Sequence, residues 1–338
     1  MNLLLTSVGR RSYLVKYFKE ALEGKGQVHV SNSTGVNPCF HQADHSVVTP
    51  LVYSEEYIPF LLDYCQKHHI DAVLSLLDLD LPVLAAHKER FEEIGVRLLV
   101  SDSRVIEICN DKWKTYQFLC DNGFHAPATW IDMDALRGEE MRFPLFIKPR
   151  WGMGSLSIYD AENEQELSVL FQKTKNAIKR SAMLKYEAKQ DMEQCVLIQE
   201  KLNGQEYGLD VINDLAGNYQ TTIVKKKLAM RAGETDCAQV QDVPFLKELG
   251  RKISAALGHI GNLDVDVFVV DGEPYVLEMN ARFGGGYPFS HLAGVNLPRA
   301  IVSWLEGKPT QPELLQATAN MTGHKDLSIV DITASAGI

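Results

Sequence analysis

The chain has 338 residues, 45% hydrophobic and 23% charged, enough for two or three lobes around a sizeable core. A formal charge of −10 argues against bulk binding to nucleic acid or anionic membrane, although basic side chains can still be gathered in one pocket. No apolar run approaches the ~20 residues of a membrane helix, and Met1-Asn-Leu-Leu-Leu-Thr6 lacks the basic leader of a signal peptide, so the expected compartment is the cytoplasm.

The first hundred residues alternate strand and helix. Strands are predicted at Leu3–Ser7, Val28–Ser31, Ser46–Val48, Ala72–Leu76 and Arg97–Val100, and helices at Arg11–Leu22, Glu55–His68 and Leu81–Ile94. Such alternation predicts a parallel sheet of Rossmann type. The turn after the first strand, Ser7-Val8-Gly9-Arg10-Arg11-Ser12, has one glycine and is not the Gly-x-Gly-x-x-Gly dinucleotide fingerprint. A nicotinamide dehydrogenase is disfavoured on that ground. Arg10 and Arg11 either meet an anionic ligand at this strand end or simply cap and solvate the helix. Asp78 and Asp80, after the fourth strand, are candidates for contacting an amine or for capping a helix. His68-His69 reads as the wet end of a helix. The ten histidines form no ligand-spaced cluster, and the six cysteines, without a Cys-x-x-Cys pair, read as free thiols.

From residue 105 the pattern changes to α+β. Val105–Asn122 reads as one helix ending at Gly123. Strands follow at Phe143–Arg150, Leu156–Tyr159, Val196–Leu202, Tyr207–Ile212 and Tyr219–Lys225, with a helical, charged stretch over 162–192. Helix Phe245–Leu257 precedes a hairpin, Asp264 to Asn280, turning at Asp271-Gly272. Lys225 to Thr235 reads as a basic loop, and the end of the chain as loose or as a final strand, Ser328–Ile332.

Three segments carry chemistry. Lys148 points inward from the apolar strand Phe146-Ile147-Lys148-Pro149 and needs an anionic partner. The loop Trp151-Gly152-Met153-Gly154-Ser155 behind it can bring backbone N–H groups close to phosphate oxygens. In the hairpin, period two puts Asp264, Asp266 and Phe268 on one face of the first strand, and Glu278 and Asn280 on one face of the second. A three-residue loop sets Asp266 opposite Glu278; a two-residue loop sets Val265 there. The first register gathers Asp266, Glu278 and Asn280 into a set of hard oxygen ligands suited to Mg²⁺ held with substrate phosphates. Arg282 follows, able to reach a phosphate or a developing negative charge.

Glu278-Met-Asn280-Ala-Arg282, with an acid twelve positions upstream, resembles the metal-binding strands of ATP-grasp enzymes, and most nearly those of the carbamoyl phosphate synthetase large chain and related single-copy ligases. The resemblance runs in order over most of residues 1 to 307. It implies an α/β Rossmann-like (pre-ATP-grasp) lobe over 1–104, a linker helix and small lid lobe over 105–202, and an ATP-grasp large lobe over 203–338.

On that resemblance, Asp266, Glu278 and Asn280 hold Mg²⁺ (or Mn²⁺) on ATP. Lys112 and Lys148 approach the nucleotide phosphates, under a lid containing Gly152, Gly154 and Ser155. The backbone around Glu200, Lys201 and Leu202 reads the adenine edge, and Glu206 accepts from ribose hydroxyls. Lys227 and Arg231 contact the outer phosphates, and Arg282 assists acyl-phosphate formation. Trp151 and Met153 depart from the family's more glycine-rich lid. The implied activity is ligation of a small-molecule carboxylate to an amine (or thiol) with release of ADP and phosphate, by a protein that could pair as a homodimer. The rival readings are an ATP-binding sensor without turnover, and an enzyme passing an acyl phosphate to a non-amine acceptor.

Overall fold

The computed structural model describes residues 1–136, 141–152 and 157–332. Gly154 and Ser155 lie outside the described residues.

The first sheet is built from β1 (Asn2–Thr6), α1 (Ser12–Leu22), β2 (Gln27–Asn32), β3 (His45–Val48), α2 (Tyr57–Lys67), β4 (Ala72–Ser75), α3 (Asp80–Ala85), α4 (Lys88–Glu92) and β5 (Arg97–Leu98). Its strands run parallel in the order β3-β2-β1-β4-β5. Alternation in β1 explains the layering: Leu3 and Leu5 join Leu14, Val15 and Phe18 of α1 in one core, whereas Leu4 joins Tyr57 and Leu61 of α2 in another. The helix expected over Leu81–Ile94 is two helices, because His87 breaks it with Nδ1 2.8 Å from the Val83 carbonyl. His68 is less wet than its sequence suggests, since its ring gathers with those of His29 and His45.

Next come α5 (Ser103–Asn110), α6 (Lys112–Asp121), β6 (Thr129–Trp130), β7 (Leu145–Pro149), β8 (Tyr159–Ala161), α7 (Glu164–Arg180), α8 (Ala182–Glu187) and β9 (Val196–Glu200). The single helix expected over Val105–Asn122 breaks at Asp111. Its carboxylate caps α6 by accepting from Trp113 N–H (3.0 Å) and takes two bonds from Arg150 (2.7 Å each). The strands form an antiparallel sheet, β6-β9-β7-β8, with its own apolar core.

The third sheet comprises β10 (Gln205–Asn213), β11 (Tyr219–Arg231), β12 (Glu234–Gln241), α9 (Pro244–Leu257), β13 (Gly261–Val270), β14 (Glu273–Asn280), α10 (Tyr287–Leu292), α11 (Leu297–Leu305) and β15 (Thr322–His324). Its order is β14-β13-β10-β11-β12-β15. The expected basic loop at 225–235 is a strand pair instead, turning at Ala232-Gly233. Lys225 and Lys227 point inward from β11 onto acidic partners, so the run expected as a basic loop is a paired strand face. No strand forms over 328–332; among the described residues the last strand is β15, on the β12 edge.

Both large cores mix residues of the first and third sheets: Leu263, Val265 and Met279 share one with α2, and Phe283 and Tyr287 the other with α1. The parallel lobe is therefore fused to the base of the β13–β14 hairpin.

Candidate active site

The hairpin β13–β14 turns in two residues, with Val270 opposite Glu273 and Asp271 and Gly272 both left-handed (φ 50° and 87°). The three-residue loop that would align the acids is absent. A β-bulge does the same work: the register shifts by one between Asp266 and Val267, leaving Leu277 unpaired. Asp266 consequently faces Glu278, and Asp264 faces Asn280.

Three cations surround these acids. Lys227 Nζ donates to Asp266 Oδ1 and Glu206 Oε1, at 2.7 Å each. Burial disfavours the charge on Lys227, but the two carboxylates outweigh it and hold its pKa above the ordinary lysine value. Arg282 donates to Asp78 Oδ2 from Nε (3.1 Å) and Nη2 (2.8 Å), and to Asp264 from Nη1 (3.1 Å). Lys148, 6% exposed, donates to the neutral Gln199 Oε1 at 2.7 Å, and Gln199 in turn donates to Thr129. Burial, reinforced by the nearby Lys112 charge, lowers the Lys148 pKa to about 8, with Glu278 pulling the other way. Lys112 Nζ donates to the Gly152 carbonyl at 2.6 Å.

Burial pushes the Asp266 carboxyl up to about 6 against the pull of Lys227, and Asp264 and Glu278 add to the rise. That surplus of negative charge on hard oxygens is what a divalent cation relieves. Among the described residues no three His, Cys, Asp or Glu side chains are grouped to hold an ion by themselves. The set thus fits Mg²⁺ completed by substrate phosphates rather than a closed protein cage.

The other expected residues are spread more widely. Arg231, at the tip of β11, pairs with Asp236 (2.8 Å), and no bond or ion pair ties it to the hairpin acids. Glu200 Oε2 accepts from Ala128 N–H (3.2 Å) at the end of β9. Lys201 pairs with Asp160 (2.8 Å), and Leu202 lies in the irregular link to β10. Glu206 is engaged by Lys227. Arg11 and Asp80 are committed to the protein instead of a ligand. Arg11 donates to the carbonyls of Leu76 and Phe283 (2.8 Å each), stitching the first sheet to the segment after Arg282. Asp80 is fully buried beneath four hydroxyls. A β-carbon on Gly284 would stand 2.1 Å from the Asp264 carboxyl, so this glycine lets the chain pass the Arg282 ion pair.

The sequence reading missed Gln199 as the Lys148 partner, although its alternation with Ile198 and Glu200 on β9 was a usable signal. It also missed Glu187, on α8 beside Gly152.

A buried lysine with only a neutral partner stands on a sheet with its own core, and the paired acids stand on another sheet whose cores are shared with the parallel lobe. Such a site belongs to a nucleotide-dependent, metal-assisted enzyme class. The chain is a member of the ATP-grasp family: the family model for the ATP-grasp domain matches residues 109–286, and that for the PylC-like N-terminal domain matches residues 3–99. Members of this family are ADP-forming ligases that use ATP with Mg²⁺. The arginine-specific carbamoyl phosphate synthase large chain of Geobacillus stearothermophilus is 23% identical over 299 residues, 85% of this chain and 27% of that one. The chain thus spans about a quarter of that relative's length. An L-amino acid ligase from Bacillus licheniformis superimposes with a TM-score of 0.70 at 19% identity, over 95% of this chain and 79% of that one. The biotin carboxylase domain of Hydrogenobacter thermophilus 2-oxoglutarate carboxylase gives 0.74 at 16% identity, over 95% and 73%.

Phosphate binding should shift Lys148. Its pKa near 8 in the free protein must rise toward or past the ordinary lysine value once an anion is beside it. Below pH 8 the lysine is already charged and this group makes affinity flat. Above pH 8 binding must take up a proton, so Mg-ATP affinity falls as pH rises. Calorimetry at pH 8.5 in buffers of different ionisation enthalpy is expected to show proton uptake in the wild type. Lys148→Ala should bind weakly and without that uptake.

Proposed function

We propose that this protein is an ATP-dependent ligase that activates a small-molecule carboxylate as its acyl phosphate and joins it to an amine (a thiol being the chemical variant). The observation that carries the reading is a pair of opposite needs: Lys148 is buried with only a neutral partner, and the bulge brings Asp266 opposite Glu278 with one lysine shared between Asp266 and Glu206. Mg²⁺ with a nucleotide triphosphate satisfies both at once. The metal, when bound, neutralises phosphate charge and orients the terminal phosphoryl group.

This chain's own residues do the rest. Lys148 and Lys112 position and neutralise the phosphates; Lys227, already beside Asp266, meets the outer phosphates. The backbone around Glu200, Lys201 and Leu202 meets the adenine edge, with Glu206 toward the ribose. Arg282, held on two carboxylates, lies where charge develops as the substrate carboxylate oxygen attacks phosphorus. The oxygen–phosphorus bond forms as the bond from the terminal phosphorus to the bridging oxygen breaks, and ADP leaves with its electrons. The neutral amine then attacks the acyl carbon, the C–N bond forms, phosphate leaves with the C–O bond electrons, and the surplus N–H proton goes to the departing phosphate. Catalysis comes from position and charge, with no protein nucleophile. The L-amino acid ligase likeness makes amino acids the first substrates to try.

The test is Mg²⁺-dependent ADP release against pooled carboxylates and amino acids, with Lys148→Ala as blank. Release that needs a pool and vanishes in the variant is the expected result. Tight ATP binding with no release from any pool would favour a sensor.

A further inference from the structure

Three buried side chains form a hydrogen-bonded line that ends on the Lys148 ammonium. Leu145, Ile147, Val196 and Ile198 fill the apolar core on one face of the β6-β9-β7-β8 sheet. Thr129, Gln199 and Lys148 stand on the opposite face, at 4%, 5% and 6% exposure. Thr129 on β6 lies directly across from Gln199 on β9, and Lys148 on β7 is the diagonal neighbour of Gln199, whose direct partner there is Phe146. The bonds run from Lys148 Nζ to Gln199 Oε1 (2.7 Å), from Gln199 Nε2 to Thr129 Oγ1 (2.8 Å), and from Thr129 Oγ1 to the Pro127 carbonyl (2.9 Å). A carbonyl only accepts, so Pro127 takes the single hydroxyl hydrogen of Thr129. Thr129 Oγ1 is then left as an acceptor, which claims the amino end of Gln199 and turns its carbonyl toward Lys148. The direction of the whole line thus follows from one backbone carbonyl.

An amide oxygen at this place has a consequence that a carboxylate would not. It accepts one bond from the ammonium without cancelling its charge, whereas a carboxylate there would close a buried ion pair. The other buried lysines of the site are treated differently: Lys225 is paired with Asp210, and Lys227 with Glu206 and Asp266. Lys148 has three N–H donors, and Gln199 takes the one side-chain bond it makes among the described residues. Two donors and the full charge stay available to an anion.

We propose that Gln199 and Thr129 are positioning residues, which fix the Lys148 ammonium by one neutral bond and so keep its charge and its two other donors for the phosphates of the nucleotide. The inference rests on the nucleotide site of the proposed ligase and is independent of which carboxylate and amine are joined. Calorimetric binding of a non-hydrolysable ATP analogue with Mg²⁺ is measured for wild type, Gln199→Glu, Thr129→Val and Thr129→Ser, beside the melting temperature of each without ligand. Gln199→Glu keeps the shape and gives Lys148 an anion, with the Thr129 hydroxyl turning to donate to the new carboxylate. It is expected to weaken analogue binding about tenfold or more, while the melting temperature stays at or above that of the wild type. A line that serves stability alone predicts the reverse, a lower melting temperature with affinity unchanged. Thr129→Val keeps the volume but leaves the Gln199 amino group without its acceptor, so the amide is free to turn its donors toward the ammonium. Affinity should fall about threefold or more, and Thr129→Ser, which keeps the hydroxyl, should bind as the wild type does. The Thr129 pair decides by itself should Gln199→Glu fail to fold. Equal affinity of Gln199→Glu and wild type, or Thr129→Ser binding no better than Thr129→Val, overturns the proposal and leaves the nucleotide site standing. A wild type that does not bind the analogue overturns both. The expected pattern of affinities, without ADP release from any pooled carboxylate, would instead reject the ligase reading and leave the positioning role standing.

Discussion

Replacing Glu278 and Asn280 together by alanine is expected to lower Mg²⁺-dependent ATP turnover by roughly 10³-fold or more. Glu278 faces Asp266 across the bulged hairpin, and Asn280 faces Asp264. Both sit on the half-buried face, opposite the core face of Val265, Val267 and Met279. Alanine there removes the oxygens that would hold the ion while the strand's packing residues stay. It also relieves some of the crowding of acids that raises the Asp266 pKa. Stability without ligand should therefore hold or rise slightly, and the melting shift that Mg-ATP gives the wild type should disappear. Turnover and melting curves measured together separate the two effects. A double variant that keeps turnover, or that loses it only by unfolding, would sink the metal assignment.

Asp80→Ala is expected to have the opposite signature, a large loss of stability by a residue remote from the chemistry. The carboxylate accepts from Thr6 (2.7 Å), Ser7 (2.8 Å), Ser75 (2.9 Å) and Tyr57 (3.1 Å), and none of it is exposed. These donors come from β1, β4, the turn after β1 and the start of α2, so one side chain ties the carboxyl ends of the parallel strands together. Burial holds the Asp80 pKa above the ordinary value, with the four hydroxyl bonds working to lower it. Removing the acceptor leaves several buried hydroxyls unpaired and opens a small void. The cost should be ~3–5 kcal/mol, a fall in melting temperature on the order of 10 °C. Asp80→Asn keeps an acceptor oxygen and the volume, and should lose clearly less. Equal stability of Asp80→Ala and wild type in thermal or urea unfolding would show that the hydroxyls find other partners.

Local rules carried much of the sequence reading, and long-range pairing limited it. The alternation in the first hundred residues is enough for the parallel sheet, because each strand and helix buries one apolar stripe. Asp271-Gly272 marks the hairpin, and period two names Asp266, Glu278 and Asn280 as one face. Their alignment arises differently from the expectation: the two-residue turn is the one Asp-Gly favours, and the bulge at Leu277 carries no residue type that announces it. Lys225 and Lys227 read as part of a basic loop because the acids that neutralise them lie 15 to 39 positions away. Asp78 meets Arg282 across 204 positions. No local pattern encodes that contact, which turns a candidate helix cap into part of the site. Glu187 sits in a charged helical stretch whose neighbours are solvated, and only the fold shows its oxygen turned inward. Asp80, polar at a strand's carboxyl end, reads as an amine contact or a helix cap; four hydroxyls from distant parts of the lobe claim it instead.

The central claim is that a carboxylate oxygen attacks the terminal phosphorus of ATP. It is tested most directly by supplying the accepted carboxylate labelled with heavy oxygen and analysing the released phosphate by mass spectrometry. Transfer of one labelled oxygen to each phosphate formed, dependent on Mg²⁺ and absent in Lys148→Ala, is the predicted result. Phosphate that carries no label while amide accumulates would contradict activation through an acyl phosphate.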